Sequence, residues 1–139
     1  MPLHAGVLGL GILGSQHVTF LDEQPEVQVT SVADVRYTQA QEVAAPVGAD
    51  PYDDYVRLFE EQTLDLAVVA TPDPMHRDPV LAAIEAGVPV VIQEKPMATT
   101  VEDAEVMLDA AEEAGAQIFI NYANRGAALD QATYYVIRQ

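Results

Sequence analysis

The chain has 139 residues, 50% of them hydrophobic, and sets 22 acids against 6 Lys and Arg for a formal charge of −16. That is enough apolar material for one domain with its own core, which argues against disorder, while so acidic a surface disfavours nucleic acid and anionic membrane as partners. The absence of cysteine excludes disulfides, thiolate metal sites and cysteine nucleophiles, and with no basic leader and no apolar run near the ~20 residues of a bilayer span the chain reads as soluble and cytoplasmic.

Residues 3–9 form an apolar run that opens on Gly9-Leu10-Gly11-Ile12-Leu13-Gly14, a Gly-x-Gly-x-x-Gly turn between a strand and a helix. In such a turn Gly9 permits the tight bend, Gly11 lets the backbone approach a phosphate, and Gly14 lets the helix lie close on the sheet. The helix carries Leu13, His17, Phe20 and Leu21 at helical spacing, which predicts an inward stripe, and it ends before Gln24-Pro25. A second strand over 27–33 contains Val27, Val29 and Val32 and ends at Asp34, twenty residues after Gly14. An acid at that place accepts hydrogen bonds from the adenosine ribose of a dinucleotide.

A helix over 37–47 closes at Gly48, and the 50–54 segment reads as a turn into a short helix with Tyr55, Leu58 and Phe59. Residues 64–70 are almost continuously apolar, as a strand buried on both faces requires, and stop at Thr71-Pro72. A helix over 79–86, ended by Gly87, leads to a strand over 88–93 and then to Glu94-Lys95-Pro96. Thr99 and Glu102 read as a capping box for a helix with Val101, Ala104, Leu108 and Ala111 inward, closed by Gly115. A last strand covers 118–122, and residues 126–139 read as a further helix. The histidines His4 and His17 are assigned to strand and helix packing. Acid pairs such as Asp53-Asp54 and Glu112-Glu113 read as helix starts or solvated faces, so no metal site is expected.

Strands alternating with helices predict an α/β fold with a doubly wound parallel sheet. In such sheets ligands bind beyond the carboxyl ends of the strands, where Gly9, Asp34, Thr71, Pro72, Glu94, Lys95 and Asn121 all fall. A lysine at such an edge, facing a carbonyl oxygen, stabilises developing negative charge, and partial desolvation brings its pKa toward the working range. The alternative for Lys95 is a surface ion-pair partner. Asp34 favours NAD over NADP because a carboxylate repels a 2′-phosphate; Arg36, two residues on, could neutralise that phosphate, so NADP is not excluded. The acid-rich, lysine-poor composition also fits adaptation to high salt, where counterions screen self-repulsion.

The order Gly-Leu-Gly-x-x-Gly, Ala33-Asp34, Ala-Thr-Pro-x-x-x-His from Ala70 to His76, and Glu94-Lys95-Pro96 resembles the glucose-fructose oxidoreductase/inositol dehydrogenase/MocA family of NAD(P)-dependent oxidoreductases. The resemblance implies a Rossmann domain over 1–122 that holds NAD through Gly9, Gly11, Ile12, Leu13, Gly14, Asp34, Arg36, Thr71, Pro72, His76, Glu94, Lys95 and Asn121. It implies that Lys95 is catalytic, hydrogen-bonding the substrate oxygen during hydride transfer, that Glu94 orients the lysine or the nicotinamide ribose, and that the Lys95-Pro96 peptide is cis. His76 fits the motif but is expected not to be catalytic. Arg125 matches the family's arginine after the last strand, whereas Gly126 replaces an aromatic residue found in many members.

The resemblance also implies a sugar, polyol or related hydroxy compound as substrate, homo-oligomers in the full-length context, and a second α+β domain carrying the substrate pocket. Residues 123–139 would begin the connecting helix to that domain, and this chain alone would be inactive. Two other readings stay open: a non-catalytic dinucleotide-binding or redox-sensing module, and a related fold serving CoA or another phosphate ligand.

Overall fold

The computed structural model describes residues 1–122. The expected helix over 126–139, the domain boundary at 123 and Arg125 lie outside the described residues.

Six strands, β1 (Leu3–Leu8), β2 (Val27–Ala33), β3 (Asp50–Tyr52), β4 (Leu66–Val69), β5 (Val90–Glu94) and β6 (Gln117–Asn121), form one sheet in the order β3-β2-β1-β4-β5-β6. Every pairing is parallel. The helices α1 (Ile12–Asp22), α2 (Tyr37–Val47), α3 (Tyr55–Glu61), α4 (Arg77–Glu85) and α5 (Val101–Ala114) provide the crossovers.

Both faces of the central strands β1 and β4 are buried, and the alternation of each divides its side chains between two cores. On β4, Leu66 and Val68 join Ala5 and Val7 of β1 against α1 and α2, whereas Ala67 and Val69 join Leu8 against α3, α4 and α5. Strand β2 breaks the period: Val29 and Val32, an odd number of residues apart, enter the same core. The pairing register explains this, because Ala5 faces Val29 but Gly6 faces Ser31, leaving Thr30 as a bulge that resets the alternation.

Several sequence expectations need correction. Leu13 and Phe20 are exposed, whereas Leu21 is buried as expected, together with Gly14 and Val18. Gly14 is the reason: without a side chain at that position the helix backbone sits close on the sheet and the buried face turns toward it. On α5, Val101 and Leu108 are exposed and the inward residues are Met107 and Ala111. Its cap lies one residue later than read, with Thr100 Oγ1 accepting from the Asp103 N–H at 3.1 Å. The 50–54 segment begins as the edge strand β3, paired to β2, before Asp54 caps α3 by accepting from the Val56 N–H. His4 is exposed on β1, where its backbone N–H donates to Asp65 Oδ2 at 2.8 Å, so its ring does not pack in the core.

Candidate functional site

Strand order reverses between β1 and β4, so the connections leaving these neighbours run to opposite faces and leave a crevice at the carboxyl edge. The glycine turn stands there. Gly9 has a φ of +82°, and a Cβ on it would lie 2.7 Å from the Ala70 carbonyl and the Thr71 nitrogen, so bend and close packing both require glycine. A Cβ on Gly14 would collide with the Gly9 carbonyl oxygen. Gly11 differs: a Cβ there meets no protein atom within 4 Å, so the space it leaves open faces outward.

Gly11 is the N-cap of α1 and gives the helix no side-chain cap. Ile12 and Leu13 of the first turn are exposed. Uncapped N–H groups, a helix dipole and an open glycine together fit a phosphate group.

Asp34, just past β2, binds the turn directly. Its Oδ2 accepts from the Leu10 N–H at 2.8 Å, and its Oδ1 accepts from the Arg36 N–H at 2.9 Å and from Arg36 Nε at 3.3 Å. The Leu10 carbonyl in turn accepts from Gln39 Nε2 at 3.1 Å and Ser15 Oγ at 3.2 Å, so α2 also steadies the turn. Oδ2, which accepts a single bond, retains acceptor capacity for a ribose hydroxyl, whereas Oδ1 is taken up by Arg36. Beside it, Gly9, Asp34, Tyr55, Thr71, Pro72 and Met75 help line a largely apolar cleft of about 250 Å³, a surface suited to a planar ring.

A second cleft, of about 400 Å³, opens on the α1 side between Leu13, His17, Phe20, Ile92, Glu94 and Asn121. Glu94 is its polar centre. Its Oε1 lies 2.7 Å from His17 Nε2 and accepts from Asn121 Nδ2 at 2.7 Å, so one carboxylate ties α1 to the ends of β5 and β6. His17 was expected only to pack; its place two turns into α1 instead brings the ring to the acid that ends β5. Burial pushes the Glu94 carboxyl up, but the hydrogen bonds from Asn121 and His17, with the charges of His17 and Lys95, outweigh it and hold the group below the usual carboxylate range.

A depressed folded pKa means that this stabilisation is present above the unfolded glutamate range and is lost as pH falls through the lower folded value. Wild type should therefore be more stable than Glu94→Gln by on the order of 1 kcal/mol at about pH 5. Thermal unfolding followed down to about pH 3 should show the gap close. A gap that widens toward acid contradicts the assignment.

Lys95 follows Glu94 and is exposed at the same edge, which corrects the expectation of a partly desolvated amine for this domain by itself. The Lys95-Pro96 peptide is cis, as the resemblance implied. Thr71 directs its hydroxyl to the Met75 carbonyl at 3.1 Å and Pro72 is exposed beside it. His76 is a further correction. Its ring is 1% exposed, with Nε2 2.8 Å from the Thr71 carbonyl oxygen and Nδ1 2.8 Å from that of Pro96, so it fastens two loops and presents no free nitrogen to a cofactor. The described residues contain no His, Asp and Glu cluster able to hold a metal, and none of their helices is long and apolar enough to cross a membrane.

A parallel sheet in this order, with an open glycine turn at the reversal and an acid closing the second strand, defines a dinucleotide-binding domain of the Rossmann class. The model of the glucose-fructose oxidoreductase/inositol dehydrogenase/MocA family, described as an oxidoreductase family with an NAD-binding Rossmann fold, matches residues 3–122. The chain belongs to that family. It is 37% identical over 108 residues to an inositol 2-dehydrogenase of Rhodococcus erythropolis, covering 73% of this chain and 30% of that protein. Among solved structures, the WlbA dehydrogenase of Bordetella pertussis in complex with NADH and UDP-GlcNAcA superposes with a TM-score of 0.90 at 28% identity, over 100% of this chain and 42% of that one. The scyllo-inositol dehydrogenase of Lactobacillus casei, at 18% identity and a TM-score of 0.87 over 100% of this chain and 42% of its own, shares the fold. The chain thus spans about a third of the length of the curated relatives it matches.

Proposed function

We propose that this chain binds NAD along the carboxyl edge of its sheet and is the cofactor domain of an oxidoreductase acting on a sugar, polyol or related hydroxy compound. The observation that carries the reading is the convergence of Gly9 to Gly14, Asp34, Glu94 and Asn121 on that one edge, with Lys95 beside them. The N–H groups that open α1 bind the pyrophosphate, and Asp34 accepts the adenosine ribose hydroxyls. When bound, the nicotinamide ring donates or accepts the hydride. Glu94, held by His17 and Asn121, orients the ring's ribose. Lys95 holds a proton at Nζ and directs it at the substrate oxygen, stabilising the negative charge that develops there. The inositol dehydrogenases among its relatives support a polyol, and assembly into homo-oligomers in a cytoplasmic setting is part of the same proposal.

Calorimetric titration of the chain with NADH and NADPH tests the reading. Saturable binding with NADH the tighter ligand is expected. Tighter NADPH overturns the preference, and failure to bind either overturns the site.

A further inference from the structure

Gln93 stands at the penultimate position of β5 and is fully buried. A parallel strand covered on both faces ordinarily takes an apolar residue there, because a buried amide is costly unless its hydrogen bonds are made. Half of this amide goes unmatched: Oε1 has no partner among the described residues. The other half is oversubscribed. Nε2 lies 2.7 Å from the Met97 carbonyl oxygen, 3.0 Å from that of Pro96 and 3.3 Å from that of Glu94, and 3.0 Å from His76 Nδ1. The three carbonyls belong to residues on either side of Lys95, so the turn that bears the lysine is wrapped around a single side-chain nitrogen.

His76 extends the contact: with Nε2–H donating to the Thr71 carbonyl after β4, its Nδ1 is the acceptor for Gln93 Nε2, so the ring links the glutamine to the β4 loop. The loops that follow β4 and β5 are therefore joined through two buried side chains. Simple packing does not explain glutamine at position 93, because leucine would fill a similar volume without stranding a buried oxygen. What glutamine adds is a fixed path for the segment from Glu94 to Met97.

We propose that Gln93 is a positioning residue, which sets the place of Glu94 and Lys95 at the nicotinamide end of the site through the carbonyls on either side of the lysine. The proposal rests on the reading of that edge as a dinucleotide site. It predicts a fault confined to one half of the ligand. ADP-ribose shares the adenosine and pyrophosphate of NADH but lacks the nicotinamide, so comparing the two separates damage at the Lys95 turn from damage to the whole fold.

The test is calorimetric titration of wild type, Gln93→Leu and Gln93→Met with NADH and ADP-ribose, alongside hydrogen exchange of the 94–98 segment by mass spectrometry. Two variants are used because leucine is branched and methionine is not, so a folding failure of one leaves the other. Wild type should bind NADH more tightly than ADP-ribose. The variants should lose about fivefold or more of that preference while ADP-ribose affinity holds within about twofold, and their 94–98 segment should exchange faster. An unchanged preference, or a proportional loss of both ligands, overturns the proposal. If wild type binds neither ligand the cofactor reading fails, and exchange alone then judges the brace: protection at 94–98 equal to wild type overturns it.

Discussion

Alanine at Gly14 should abolish dinucleotide binding and destabilise the fold, whereas alanine at Gly11 should weaken binding by a factor of about 100 and leave the fold intact. The added methyl at Gly14 falls on the Gly9 carbonyl oxygen and lies 2.9 Å from its carbon. Gly9 cannot retreat, because it is in the left-handed region and already packed against the backbone of Ala70 and Thr71. The strain must instead lift α1 off β1, opening the core that Val18 and Leu21 share with Val7. Backbone set against backbone places this at the upper end of overpacking costs, about 3 kcal/mol, or a fall of roughly 10 °C in Tm for a domain of this size.

At Gly11 the methyl meets no protein atom, and the φ of −69° suits any residue, so Tm should move by no more than about 2 °C. The methyl would occupy the space in front of the α1 N-terminus, where a phosphate must approach the N–H groups. NADH affinity should fall by a factor of about 100. Thermal unfolding and calorimetry on both variants make the comparison. Gly11→Ala with wild-type affinity would remove the phosphate from this turn.

The legible parts of the chain were those in which one residue type answers one local demand. Gly9, Gly48, Gly87 and Gly115 mark the ends of elements because each takes a positive φ, and the continuous apolar run through β4 announces burial on two faces. The α/β class and the parallel, doubly wound sheet followed from the alternation of such signals. Helix facing was less legible. Periodicity put Leu13 and Phe20 inward, yet the close seat of Gly14 on β1 fixes the rotation of α1 and leaves both exposed. Hydrophobic spacing carries no record of which helix face contains the contact glycine. The same holds for α5, where Met107 took the inward position assigned to Leu108.

The polar ties of the site were hidden for a different reason: they join residues far apart in the chain. His17 and Glu94 are 77 positions apart, and His76 meets Thr71 and Pro96 only because β4 and β5 are neighbours. A histidine in a helix gives no signal of its partner. The signal that could have found it was the acid ending β5 in a sheet whose ligand edge also carries α1, together with the three-residue spacing from Gly14 to His17. Gln93 left a plainer mark, a polar residue that ends a run of Val and Ile inside a strand.

Replacing Asp34 with alanine should weaken NADH binding by about 10- to 100-fold and narrow or reverse the preference over NADPH. Three effects act together. The ribose hydroxyls lose their charged acceptor, a hydrogen-bond class that contributes about 1.5–3 kcal/mol each. The Leu10 N–H loses the oxygen that holds it at 2.8 Å, so the glycine turn loses one of its anchors. Arg36, now bound through Nε to Asp34 Oδ1 and otherwise largely in solvent, is freed. A released guanidinium beside the vacated ribose position is a bidentate phosphate ligand, so NADPH loses a repulsion and gains a partner while NADH only loses. The double variant Asp34→Ala/Arg36→Ala separates these terms. It should weaken NADH about as much as the single change but take back the NADPH gain. Should the single variant lose both cofactors equally, anchoring of the turn outweighs charge, and discrimination between the cofactors lies elsewhere than at Asp34 and Arg36.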